Sequence, residues 1–206
     1  VTRYLTNQRA AVAVAGRDAD KLRHAAPTLP FFVAEYDDAH ALRSLADKAD
    51  VVVSTAGPYT PNGSHLVAAC IDAGTDYIDI NGEVPWMKSV VERFDEPAAR
   101  RGVKVVLSCG FCAPSDLGVL FALASVPLDQ RGRVENVLHF HGRLSGGTVA
   151  TGVMLDEAPE AVQRVRRDPF ALCWRPPPEN ERCELDADPR TPVRNARLAE
   201  RCAPSW

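Results

Sequence analysis

Residues 51–59 read VVVSTAGPY, and this stretch decides the fold. Val51, Val52 and Val53, followed by Ser54 and Thr55, form a continuous β-branched run, the composition of a strand buried on both faces. Ala56, Gly57, Pro58 and Tyr59 then give a turn signal at its carboxyl end. The same grammar repeats outward. Upstream, residues 11–15 are a short apolar run closed by Gly16, residues 18–26 are helical in pattern, 31–34 form a strand, and 39–49 form a helix. Downstream, Ser64 is placed to cap a helix that runs to Ala73 and stops at Gly74. Residues 77–80 form a strand closed by Asn81 and Gly82. Pro85 fits the first turn of a helix with Trp86, Val90, Val91 and Phe94 on its apolar face, and Pro97 is expected to kink or end it. Residues 103–107 are a further strand, and Pro114, Ser115 and Asp116 open a helix to Leu123. Apolar strands separated by helices specify an α/β fold, a doubly wound parallel sheet of the Rossmann type.

Past Pro127 the texture changes. Residues 134–141 read as a strand of a different sheet, and Ser145, Gly146, Gly147 and Thr148 lead into a helix reaching about Arg166. The expected organisation is a dinucleotide-type domain over residues 1–132, the start of a second α+β domain over 133–172, and a tail over 173–206. From Arg175 to Trp206 there are six prolines, six arginines and six acidic residues, but only Leu185, Val193 and Leu198 among Leu, Ile, Val and Phe. Such a segment buries too little apolar surface to offset its ordering entropy, so a disordered tail is expected.

The chain has 206 residues, 46% hydrophobic and 25% charged, ordinary for a protein that buries a core. A formal net charge of −3 gives no electrostatic footprint for nucleic acid. No apolar run approaches the ~18 residues needed to span a bilayer, and the first residues lack the pattern of a secretory leader, so a cytoplasmic location is expected. In that setting Cys70, Cys109, Cys112, Cys173, Cys183 and Cys202 read as reduced thiols. Residue 1 is Val, which suggests a fragment or an alternative start codon.

Four places carry chemistry. Arg17 follows Gly16 at a strand end, where dinucleotide folds read the adenosine ribose; an arginine there accommodates the NADP phosphate and an acid favours NAD. Asp18 beside it leaves both possibilities open, and a solvated surface arginine is the ordinary alternative. Ser54, Thr55, Ala56, Gly57, Pro58 and Tyr59 form a turn at the carboxyl end of a strand, the crevice where open α/β sheets bind ligands. Asp79 and Glu83, flanking Ile80, Asn81 and Gly82, put two carboxylates at another strand end, suited to acid–base work or simply to a solvated turn. Cys109 and Cys112 with His139 and His141 have zinc-capable chemistry, but their spacing is not that of a finger and Cys109 fits the end of a buried strand, so no metal is assigned.

Taken in order, VVVSTAGPY (51–59), GTDYIDINGE (74–83), SCGFCAPSDLG (108–118) and SGGTVAT (145–151) resemble the saccharopine dehydrogenase-like oxidoreductases, and within them the trans-acting enoyl reductases of actinobacterial lipid biosynthesis. The resemblance runs to about Phe170. It implies a reductase using NADP that transfers hydride to an unsaturated or imine-like substrate, small or lipid-like, with association at membrane or lipid surfaces. By the same likeness Arg17 and Asp37 lie near the adenosine, and Ser54 to Tyr59 pass under the cofactor. Asp79, Gly82 and Glu83 approach the nicotinamide, and residues 109–116 join two domains.

Three departures accompany the likeness. Family members begin with a strand and a Gly-rich turn that seats the pyrophosphate, whereas the first glycine here is Gly16. Cys112 and Ala113 stand where the joining motif carries three residues including an acid, and most of a second domain is missing. In a 3-2-1-4 strand order the missing strand lies in the middle, so residues 11–15 and 51–55 are expected to face a gap unless the sheet closes up. Weak cofactor binding, or none, is therefore expected. The second functional reading is a truncated, catalytically silent remnant, serving as a binding module or without function.

Overall fold

In a computed structural model, the described residues are 1–110, 112–127, 130, 145–168 and 170–173. Their elements follow the order α1 (Thr2–Asn7), β1 (Val14–Gly16), α2 (Ala19–Ala25), β2 (Phe31–Val33), α3 (Ala39–Ala46), β3 (Val51–Ser54) and α4 (Tyr59–Ala73). Then come β4 (Asp76–Asp79), α5 (Val84–Arg101), β5 (Val105–Val106), α6 (Cys112–Ala124), α7 (Gly146–Asp156) and α8 (Glu160–Arg167). The chain divides into two compact units: Val1–Asp79 with Ser89–Leu107, and Ile80–Lys88 with the chain from Ser108 onward.

In the first unit every strand pair is parallel, as the alternation of strands and helices predicts. The strands form two sheets, β1-β2 and β3-β4-β5. The sheet has not closed up. A cavity of about 400 Å³ is lined by residues 13–17 on one side and 51–58 on the other. The open edge changes how β3 is buried: Val51 and Val53 are 44% and 40% exposed, although their run has the composition of a fully covered strand.

Helices hold the rest together. Asp18 starts α2 by accepting from the Asp20 and Lys21 amides, both at 3.0 Å, and Asp38 starts α3 through the Ala41 amide at 2.9 Å. α3 and α4 pack on each other and bury Leu42, Leu45, Ala46, Val67, Cys70 and Ile71. Full burial of one such leucine stabilises by about 1.5–3 kcal/mol. Thr75 ties β4 to the end of α3, its hydroxyl 2.8 Å from the Ala46 carbonyl and 3.1 Å from that of Ala49. Arg101 reaches back from α5 to the Ile71 and Asp72 carbonyls in the last turn of α4, where the Ile71 carbonyl also accepts from the Gly74 amide at 3.2 Å.

Helix boundaries depart from the sequence expectation in three places. α4 begins at Tyr59, five residues before Ser64, with Pro61 in its first turn, where amides have no intrahelical acceptor. Its end is as expected: Gly74 takes the left-handed conformation at φ 78°. α5 runs through Pro97 to Arg101, its apolar side held by buried Trp86, Met87, Val90 and Ala98. The single helix expected up to Arg166 is two, α7 and α8, with Pro159 at the entry to the second.

The second unit buries Trp86, Met87, Leu155, Phe170 and Ala171. The Gln163 amide donates to the Asp156 carbonyl at 3.1 Å, closing the end of α7, and Arg166 pairs with the Asp156 carboxylate at 2.6 Å. Cys173 is disulfide-bonded, a correction to the expectation of reduced thiols throughout. The strand expected at 134–141 and the tail beyond Cys173 lie outside the described residues.

Candidate functional site

The cavity between β1 and β3 continues past their carboxyl ends, and Arg17 and the turn after β3 meet there. Arg17 leaves β1 exposed and lines the cavity. Asp18 is committed elsewhere. Its carboxylate caps α2, and the Lys21 amide holds its pKa below the usual carboxylate value. Of the two neighbours, the cation is the one facing the crevice.

The turn closes on itself. Ser54 is buried, whereas Thr55, Ala56 and Gly57 are exposed. The Gly57–Pro58 peptide is cis, and the buried Tyr59 hydroxyl donates to the Ser54 carbonyl at 3.1 Å. A Cβ on Gly57 would come within 3.3 Å of the Tyr59 ring, so a side chain there crowds the turn. Asn62 donates to the Pro58 carbonyl at 3.2 Å.

A buried polar pair sits on the neighbouring strand. The register sets Ser54 opposite Asp79, and Tyr77 shares a face of β4 with Asp79. Both side chains are 0% exposed, and the Tyr77 hydroxyl donates to Asp79 Oδ2 at 3.1 Å. Burial, reinforced by the Asp79 carboxylate, pushes the Tyr77 pKa far up, so the phenol stays a donor throughout the working pH range.

Arg17, Ser54, Thr55, Ala56, Gly57 and Pro58 are thus brought together. Tyr59 braces the turn from behind. Asp37 is exposed and does not line the cavity; nor does Asp79, which is buried within the unit. Gly82 and Glu83 belong to the second unit. There Glu83 is 1% exposed, accepts from the Thr151 hydroxyl at 3.1 Å, and donates its own amide to Asn81 Oδ1 at 3.0 Å. Two of the sequence motifs therefore meet through one hydrogen bond.

Sequence reasoning missed Tyr36, Lys48, Asn62 and Leu66 in the lining, and Thr151 and Tyr77 as partners of the two acids. Tyr77 was findable, standing two residues before Asp79 on a strand. Cys109 is free and exposed, and among the described residues no cluster of three or more His, Cys, Asp or Glu side chains has metal-binding geometry. His139 and His141 lie outside them.

Residues 1–106 match the saccharopine dehydrogenase NADP binding domain family. The chain belongs to that family. It is 36% identical over 214 residues to a Mycobacterium tuberculosis protein provisionally named trans-acting enoyl reductase, covering 96% of this chain and 50% of that one. It is 34% identical over 198 residues to the trans-acting enoyl reductase of Mycobacterium leprae, covering 90% and 46%. The chain thus spans about half the length of these relatives. Among solved structures, apo saccharopine dehydrogenase (L-Glu forming) from Saccharomyces cerevisiae matches with a TM-score of 0.53 at 20% identity, over 61% of this chain and 27% of that one. That likeness shows the fold. Among the described residues no helix is long and apolar enough to cross a membrane.

Proposed function

We propose that the chain holds NADPH in the crevice at the carboxyl ends of β1 and β3, and serves a reductase that delivers hydride to an unsaturated or imine-like substrate. The observation that carries this reading is the meeting of Arg17 with the Ser54 to Pro58 turn in one cavity of about 400 Å³, within the size range of small-molecule sites. The donor set fits one end of the cofactor. Arg17 suits the adenosine phosphate, and the small residues Gly16, Ala34 and Gly57 leave room for close approach. When bound, NADPH supplies the hydride. The chain's own part is to bind and orient it, with the turn held by Tyr59. The relatives' names support an enoyl substrate, and a lipid-like acyl chain within lipid biosynthesis follows from the same likeness. A site at the membrane periphery belongs to the same proposal.

Among the described residues no Gly-rich turn lines the crevice, and the contacts present reach one end of the cofactor, so this chain by itself is expected to bind weakly, with Kd about 10⁻⁴ M. Calorimetric titration tests this. NADPH should bind about tenfold more tightly than NADH, and Arg17→Ala should erase the difference. Equal affinity of the parent chain for the two nucleotides, or no binding of either at millimolar concentration, overturns the proposal. A second reading, a catalytically silent binding module, is favoured by the open cleft between the sheets. It predicts that neither nucleotide binds.

A further inference from the structure

Behind the turn after β3 lies a set of polar side chains that the proposed nucleotide site does not use. The parallel register puts Val52 opposite Tyr77 and Ser54 opposite Asp79. Side chains alternate along a strand, so Val52, Ser54, Tyr77 and Asp79 share one face of the sheet and Val51 and Val53 take the other. Tyr59, the first residue of α4, sets a second phenol beside the first. Ser54, Tyr59, Tyr77 and Asp79 are all buried, and of the four only Ser54 lines the cavity.

Three contacts tie this set together. The Tyr77 hydroxyl donates to Asp79 Oδ2, and the Tyr59 hydroxyl donates to the Ser54 carbonyl, each at 3.1 Å. Burial pushes the Tyr77 pKa up, and the Ser54 side chain, hydrogen-bonded to the phenol, draws it partly back. Ser54 is thereby held at two points, its side chain from β4 and its carbonyl from α4. Among the described residues no buried side-chain nitrogen or oxygen lacks a partner. An apolar pair of the same volume would cover this face without the desolvation that a buried acid and phenol incur. What a fully satisfied polar set adds is a single fixed arrangement.

That arrangement matters at Ser54. It is the last residue of β3, and Thr55, Ala56 and Gly57 run on from it, exposed, along the cavity. Ala56 and Gly57 carry little or no side chain, so a nucleotide there meets backbone. The direction in which those peptides leave the strand follows from how Ser54 is held. We infer that Tyr77 is a positioning residue for the nucleotide site: without touching the ligand, and oriented by Asp79, it fixes Ser54 so that the backbone of Thr55 to Gly57 is set before the nucleotide arrives. This role rests on the nucleotide reading of the crevice. It lowers the ordering cost of binding, and it joins Asp79 to the site through Tyr77 and not through the ligand.

The test compares the full chain with Tyr77→Phe and Tyr59→Phe, and with Gly74→Ala as a control that loses comparable stability at the opposite end of α4 from the turn. NADPH is titrated into each by calorimetry, and nitrogen-15 relaxation without nucleotide reads backbone order at Thr55, Ala56 and Gly57. Kd should rise about five- to tenfold in both hydroxyl variants and stay within about twofold of the parent in the control. The order parameters of the three turn residues should fall from about 0.85 toward about 0.6 in the hydroxyl variants alone. In a Ser54→Ala background the effect of Tyr77→Phe on Kd should vanish, because the link through which it acts is gone. Equal Kd in the Tyr77→Phe and Gly74→Ala chains, unchanged order at the turn, or a full Tyr77→Phe effect without the Ser54 hydroxyl overturns the inference. Absence of NADPH binding by the parent chain overturns the nucleotide reading instead, and the relaxation measurement, which needs no nucleotide, still decides whether Tyr77 holds the turn.

Discussion

Tyr77→Phe removes a single oxygen from the interior, and the structure fixes what that should cost. The side chain is 0% exposed, and so is Asp79, whose Oδ2 accepts the hydroxyl at 3.1 Å. Hydrogen bonds to a charged group contribute about 1.5–3 kcal/mol. At 3.1 Å the bond is long for an O–H donor, which places it at the low end, about 1.5 kcal/mol. Asp79 has further interactions, so the variant weakens the pair without stranding the carboxylate. The ring is retained, so no cavity forms and no packing contribution is added. Urea unfolding followed by far-ultraviolet circular dichroism should show the midpoint falling by roughly 0.7 M at an m-value of about 2 kcal/mol/M. Repeating the change in an Asp79→Asn background separates charge from shape. The loss should fall below about 1 kcal/mol, because the bond is then between neutral groups. A midpoint unchanged within error, or the same loss in both backgrounds, refutes the assignment of the hydroxyl to the Asp79 carboxylate.

Two further outcomes test local features. Gly74→Ala should destabilise by about 1 kcal/mol, because φ is +78° and no atom lies within 4 Å of the added Cβ, leaving backbone strain as the cause; an unchanged urea midpoint would contradict this. Cys70 is fully buried and its thiol pKa is pushed up to about 12 by burial, so iodoacetamide at pH 8 should label Cys109 and spare Cys70 until the chain unfolds; equal labelling of the two in the native chain, read by peptide mass, contradicts the packing of α3 on α4.

How much was legible in the sequence differs by feature, for physical reasons. Strand and helix order was readable because Val51 to Ser54 and Phe31 to Val33 carry a local signal, β-branched or aromatic runs between helical stretches. The gap between β1 and β3 was readable too, since strand order in such folds sets another strand between these two. The start of α4 was not. Ser64 has the chemistry of a cap, but the helix has room to begin at Tyr59 because prolines 58 and 61 need no amide partner there. Arg17 and the turn after β3 were legible as site residues because both sit at strand ends. Tyr36, Asn62 and Leu66 were not, since their approach to the cavity depends on how α3 and α4 dispose the chain around β3. The Glu83–Thr151 bond spans 68 residues, a separation at which no local pattern speaks.

Gly16 and Ser54 end the two strand edges, and Arg17 and Thr55 open the crevice beyond them, so the proposed nucleotide site is built on the last residues of β1 and β3. An unpaired buried backbone group costs about 1–3 kcal/mol, but the edges of this cleft are wet, with Val51 and Val53 exposed by 44% and 40%. The edges therefore forgo stabilisation without bearing the full penalty of buried orphans. Ordering the ends of β1 and β3 is then part of what nucleotide binding must accomplish, and that ordering is subtracted from the affinity that Arg17 and the turn supply.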